Sequence, residues 1–486
     1  MRAAVRTCAL LLALSLCDPA LRAQPRPLDL FQRISLDLRG HRLAGDEIAE
    51  IEGAIARHEA PVAIASRYID LWLTRDVIAG KLDSYLSGPV RADRLFLGYL
   101  ERVRVDKGSW VYYLPHTLPP DARADAPPCA PADRVEVHPW WSIDQKLQIC
   151  APSYRPEHAF DSAGYCAGQA VFGPLPSPPR AGCGCGPLLL ACMPPRDENP
   201  MLARKMTKAL RDEVLETAAD IVAADRSFDE LMTTSRTWQS GLVAFFYLRR
   251  ELIARIQHEP WTPTLESALA DRVRGVDLAA PGRWVERDGV YRGSGLFTTT
   301  IATRTYTVNY RDDALGLLHD FLCADLKSVH VDSDALLKTV TRPEPSEVWN
   351  SQVRLQAGCK SCHAPMDNLT GFLANMTDTR WGSQPVPSAR VRGELYVKGA
   401  GDRRGDGVGF ADLSQLLVSQ PEFDECAVKH VFQQLVGRPP LNSERSLVDG
   451  LVRDFHAGGR RWRALVRSVL LGAPYLAASD SPARGP

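Results

Sequence analysis

Gly358-Cys359-Lys360-Ser361-Cys362-His363-Ala364-Pro365-Met366-Asp367-Asn368-Leu369-Thr370-Gly371-Phe372-Leu373 is the most informative stretch of this chain. It opens with C-x-x-C-H, the attachment pattern of a c-type haem. Two thiols must reach the two vinyl groups of one porphyrin, and a two-residue spacer on a turn entering a helix sets their separation. The next residue, His363, then lies under the iron as the proximal ligand. At this cysteine and histidine content about 0.007 chance matches are expected. Two other chemistries use paired cysteines. A redox dithiol normally sits in a βαβ context, which is missing here, and a zinc site needs a second pair nearby.

Outward from the motif, a sixth iron ligand is needed. Met366 is three residues from His363 and sits on the same helical turn, so it is badly placed for the opposite face. Met376 lies thirteen residues on and is the first candidate; His430 is the alternative and His456 a remote one.

Export agrees with covalent haem. The first residues carry Arg2 and Arg6, an apolar run from Cys8 to Leu16, and small residues from Ala20 to Ala23, the layout of a secretory signal peptide over 1–23. A lipid anchor at Cys17 is the lesser alternative, because bulky Leu16 stands where such a site needs a small residue. The expected location is therefore the periplasm or cell surface, or the medium. Cutting after Ala23 takes Arg2, Arg6, Arg22 and Asp18 from 58 basic and 58 acidic residues, leaving 55 and 57. That balance argues against a nucleic-acid partner. No later run is apolar enough to span a bilayer.

Of twelve cysteines, Cys8 and Cys17 leave with the signal and two belong to the motif. The remaining eight are disulfide candidates in an oxidising compartment: Cys129, Cys150, Cys166, Cys183, Cys185, Cys192, Cys323 and Cys426. Eight thiols allow 105 pairings. Cys183 and Cys185 are too close to bond each other, and Cys323 with Cys426 is a plausible pair.

The rest of the chain reads as mainly α, with helical N- and C-terminal parts, a disulfide-rich irregular insertion and a c-type cytochrome-like module. The divisions fall at 24–115 (N-terminal helical), 116–200 (Pro/Cys-rich insertion), 201–345 (helical and mixed) and 346–486 (haem-binding and C-terminal helical). In the first, an apolar stripe from Leu30 stops at Gly40, Asp46 caps a helix from Glu47 to about His58, and Ala65–Leu73 continue. In the insertion, prolines deny the backbone donors of regular structure. In the third, Met206, Leu210, Val214, Ala218, Ile221 and Val222 share one helix face, and Ser227 with Glu230 suggests a capping box. A β-branched run covers Phe297–Ile301, and a helix lies near 314–326. In the last, helices run over 422–436, ending at Gly437, and over 443–456. Asp402–Gly407 reads as a turn. Trp140-Trp141 either pack the insertion or contact sugar rings, the basis for a possible polysaccharide or cell-surface contact. Arg380 and Trp381 are candidates to hold a propionate and shield the ring.

These features resemble large exported cytochrome-like proteins of planctomycetes and myxobacteria, which carry a CxxCH haem-binding module and C-terminal helical domains of unknown function. The resemblance rests on Gly358–His363, Asp367 and Gly371-Phe372. It extends to Glu213, Asp225-Arg226 and Phe246-Tyr247, to Arg292–Thr299 and Phe321–Cys323, and to Phe410, Leu413, Cys426 and Gly437-Arg438. It also takes in the start Arg33–Gly40. Asn368 departs from it, standing where the family has proline, and Met376 stands where it has an aromatic. The resemblance implies one covalent haem c and a mainly helical exported protein. The reading is an electron-transfer protein working with a redox partner protein. The alternatives are a haem peroxidase-like enzyme with an open sixth position and a secreted disulfide-rich binding or structural protein.

Overall fold

The structure is a computed structural model that describes residues 27–91, 104–106, 109–113, 132, 134–150, 187–190, 201–258, 262–287, 289, 292–305, 310–324, 357–373, 376–379, 382–385, 391–398 and 402–477. The expected signal segment, 1–23, and the expected divisions at 115, 200 and 345 lie outside these residues. The described chain is 65% helix with few short strands, as its 3.6-residue apolar stripes require.

The helices are α1 (Pro27–Arg39), α2 (Gly45–Ala56), α3 (Pro61–Trp72), α4 (Arg75–Tyr85), α5 (Leu202–Ala223), α6 (Glu230–Thr233), α7 (Gly241–His258), α8 (Pro263–Arg274), α9 (Thr300–Thr305), α10 (Tyr310–Leu322), α11 (Ala357–Leu373), α12 (Gly409–Val418), α13 (Pro421–Val436), α14 (Arg445–Ala457), α15 (Trp462–Leu470) and α16 (Ala473–Ala477). Strands β1 (Arg104–Asp106), β2 (Ser109–Tyr113), β3 (Arg134–Val137) and β4 (Leu147–Cys150) form one sheet in the order β1-β2-β4-β3. Three two-stranded ribbons follow: β5 (Arg236–Gln239) with β6 (Arg283–Glu286), β7 (Met376–Thr379) with β8 (Gly382–Pro385), and β9 (Arg392–Tyr396) with β10 (Arg403–Val408).

The chain divides into two compact units, 1–81 with 428–486, and 82–427. In the first unit, residues far apart in sequence close on one another. Arg33 donates to the Tyr475 carbonyl at 2.7 Å, and its guanidinium lies 4.1 Å over the Tyr475 ring. The Tyr475 hydroxyl donates to Asp37 at 2.6 Å. Arg463 donates to the carbonyls of Asp70 and Leu73, both at 3.0 Å, supplying the donors that the C-terminal turn of α3 lacks. Apolar faces of α1, α3 and α15, including Phe31, Ile34, Ile69 and Trp462, are buried.

Gly40 ends α1 with φ +75°, where only glycine sits without strain. The expected Asp46 cap is corrected: α2 has Ala44 at its N-cap, and Glu47 accepts from the Ala44 N–H at 2.9 Å. Glu47 does more than cap. It takes two hydrogen bonds from Arg39 at 2.8 Å and one from Trp72 Nε1 at 2.9 Å. The Arg39 contact outweighs burial and holds the carboxyl down to about 2. A depressed carboxyl stabilises the fold above its unfolded value and loses that contribution as pH falls through the folded one. Glu47→Gln should therefore cost about 1–2 kcal/mol at pH 7, a range that allows for screening. The gap from wild type should close between pH 4.5 and about 2 in urea titrations.

The second unit holds the described residues of 116–200. Trp140 is buried and stacks on Phe245 of α7 at 4.5 Å, and its backbone N–H donates to the Leu188 carbonyl at 2.8 Å. Arg249, buried on the same helix, donates to the Leu190 carbonyl. Trp140 thus serves packing. Two local expectations are also corrected, and one open stretch is assigned. Glu230 begins a short helix and pairs with Arg226 at 2.7 Å, with no cap formed from Ser227. Residues 295–298 and 300–305, noted for their β-branched content, are helical, and Phe297 stacks on Phe410 of α12 at 5.1 Å. Arg403–Val408 is a strand, since β9 supplies its ladder.

Candidate functional site

The C-x-x-C-H segment lies at the start of α11. This helix begins at Ala357, so Cys359, Cys362 and His363 occupy its first two turns. Spacings of three and four residues put these positions on one side of a helix. Pro365 removes one backbone donor just after the motif, so the Ser361 carbonyl loses its helical partner. Beyond it, Pro365, Leu369, Phe372 and Leu373 are buried. That face packs against α10, α12 and the β9–β10 hairpin.

The crossing of α11 over β9 is close, and Gly371 makes it possible. A Cβ there would stand 2.2 Å from the Arg392 carbonyl oxygen and 2.7 Å from Gly393 Cα. A Cβ on Gly393 would meet the Phe372 ring at 2.2 Å. Gly371-Phe372 is therefore the contact that seats the helix. Asn368 donates to Glu394 of β9 at 3.2 Å, and Glu394 also accepts from the Tyr396 hydroxyl at 2.7 Å. These residues border a polar groove of about 500 Å3, lined by Asp367, Thr370, Arg392 and Arg403 among others.

Gly371→Ala should destabilise the protein by about 2 kcal/mol. Overpacking against rigid backbone costs up to about 3 kcal/mol, against about 1 kcal/mol gained in helix propensity. Gly80→Ala in α4 faces open space and should be neutral or stabilising in the same urea titration.

The other candidate residues fall in different places. Met376 begins β7, after α11 has carried the chain about 15 Å along its axis from His363. His430 is on α13, one turn after Cys426. Cys323 and Cys426 form a disulfide with Cα atoms 5.2 Å apart, closing a separation of 103 residues around the motif. Cys150 ends β4. Cys129, Cys166, Cys183, Cys185, Cys192, Arg380 and Trp381 lie outside the described residues. Among the described residues no helix is long and apolar enough to cross a membrane.

One polar cluster joins Glu213 and Tyr247, which entered only through the resemblance, to Thr237 and Arg287, which no sequence pattern singled out. Glu213 on α5 is buried, with a side chain 0% exposed, and forms an ion pair with Arg287, 7% exposed. Thr237 of β5 donates to Glu213 at 2.7 Å, and the Tyr247 hydroxyl of α7 donates to its other oxygen at 2.9 Å. Tyr247 in turn accepts from Arg287 at 2.9 Å and from the Thr300 N–H, opening α9, at 3.1 Å. Burial pushes the Glu213 carboxyl up, against the pull of Arg287, Thr237 and Tyr247. Burial also works against the Arg287 charge, but Tyr247 and Glu213 hold it above its ordinary value. The available signal was a lone acid within the apolar stripe of α5, beside Val214 and three residues from Leu210. The cluster ties α5, β5, α7 and α9 to Arg287, the residue after β6, around a buried carboxylate, an arrangement that serves the fold.

No protein-family model, curated protein or solved structure matches this chain.

Proposed function

We propose that this chain is an exported monohaem c-type cytochrome-like protein that transfers electrons. The observation that carries the reading is the placement of Cys359, Cys362 and His363 in the opening turns of α11, whose C-terminal half is seated in a packed core. The donor set suits the group. Two thiols one turn apart provide two thioether links, and the adjacent imidazole provides a nitrogen ligand. The haem supplies one-electron chemistry when bound. The chain's part is to hold the attachment turn rigid through Gly371, Phe372 and Asn368, because a fixed site limits reorganisation during electron transfer. The Cys323–Cys426 disulfide supports an oxidising compartment, where covalent haem is attached. Met376 remains the proposed sixth ligand and His430 the alternative; a redox protein is the proposed partner.

The deciding experiment is the absorption spectrum of the full chain from a host competent in cytochrome maturation, with mass analysis of peptide 351–380. A reduced c-type α band and one porphyrin on that peptide are expected. Free or mutually bonded Cys359 and Cys362 would refute the proposal. Carbon monoxide binding without displacement of a ligand would move it to the peroxidase-like alternative.

A further inference from the structure

We infer that the Cys323–Cys426 disulfide is a reducible site that takes an external dithiol and thereby releases the helix carrying the haem motif. The inference rests on the proposed function for its consequence and on the fold for its mechanism. Cys323 is the residue after α10 and has φ +48°, the left-handed conformation that favours glycine. Two backbone bonds close this helix end: Cys323 N–H to the His319 carbonyl at 3.0 Å and Ala324 N–H to the Leu318 carbonyl at 3.2 Å. A non-glycine residue in this conformation is strained, so the covalent link opposes a tendency of the helix end to relax.

The two sulfurs differ in access. Cys323 is half-buried, whereas Cys426 is 1% exposed. An attacking thiolate therefore reaches Cys323 first, forms a mixed disulfide there and expels the Cys426 thiolate, which takes up a proton. The second thiol of the reagent then displaces Cys323 and closes the reagent's own disulfide. Two electrons and two protons pass from the dithiol to the protein.

The reduced state has a place for the product thiol. Cys426 Sγ lies 3.8 Å from the carbonyl oxygens of His319 and Asp320, so a Cys426 S–H formed as the two sulfurs move apart has acceptors within reach at the end of α10. What is lost is the staple. Helix α10 buries Leu317, Leu318, Phe321 and Leu322 and packs against α11. The loop closed by the disulfide contains α11 with Cys359, Cys362 and His363. A closed loop of this length limits the opening of everything inside it.

The test is hydrogen exchange of the full chain before and after treatment with dithiothreitol, with mass mapping of alkylated Cys323 and Cys426. Exchange in 310–322 and 357–373 should quicken about tenfold or more, while 202–223 stays unchanged. The paired variant Cys323→Gly with Cys426→Ser removes the bond but gives the left-handed position its preferred residue. It should show the same acceleration. Unchanged exchange in 357–373 after both thiols are alkylated would overturn the inference. So would normal protection in the glycine variant, which would assign the effect to backbone strain. These readouts need no haem. If the spectrum shows no haem but exchange responds, the functional reading fails alone; if haem is present and exchange is unmoved, this inference fails alone.

Discussion

Replacing Glu213 with alanine is expected to lower stability by about 3–5 kcal/mol, the usual cost of breaking a buried ion pair by removing one partner. The size follows from what is left behind. Arg287 stays buried without the carboxylate it pairs with, and Thr237 and Tyr247 lose their acceptor. Tyr247 also accepts from the Thr300 N–H, so the damage reaches the start of α9. Removing both charges should hurt less. Glu213→Leu with Arg287→Met abolishes the pair but also its desolvation, and should recover about half or more of the loss. Urea titrations of the three proteins decide the matter. A loss under about 1 kcal/mol in Glu213→Ala would show that the pair is neither desolvated nor organising.

If the proposed haem is carried, Cys359→Ser with Cys362→Ser should abolish its covalent attachment. Peptide 351–380 should carry no porphyrin, and haem stain after denaturation should vanish. Far-UV circular dichroism should change little, because α11 is anchored by Leu369, Phe372 and Leu373, past the motif. His363→Ala separates the two roles in the motif. It keeps both thiols but removes the proposed proximal nitrogen, so any haem that attaches should show an altered spectrum in both oxidation states. If His363→Ala leaves the spectrum of wild type, the imidazole is not an iron ligand.

Much of the fold was legible in the chain because helices are local. The stripe from Met206 to Val222 is buried as the periodicity requires, and α13 ends at Val436 with Gly437 at φ +79°. Strands were harder. Arg403–Val408 carries Asp, Gly and Arg in a pattern that reads as a turn, and only its ladder with Arg392–Tyr396 makes it extended. The Phe297 region carries β-branched residues, yet it is helical, with Phe297 stacked on Phe410 far along the chain. The role of Glu47 was half visible. Its place in a first helical turn was clear, whereas Arg39 and Trp72 reach it only after folding.

The candidate site divides in the same way. Cys359, Cys362 and His363 stood out because their chemistry depends on spacing along the chain, which sequence alone records. Gly371 was visible as part of a motif but without its reason, which is the approach of Arg392 and Gly393 from another element.

Local chemistry, then, determined the helices, their stop signals and the attachment pattern, since each involves residues within a turn or two of one another. Tertiary structure decided the rest. Residues 27–81 and 428–477 make one unit, Cys323 meets Cys426, and Glu213 finds Arg287. Each depends on groups separated by tens to hundreds of residues, whose meeting is set by which apolar faces bury together rather than by any pattern in either segment.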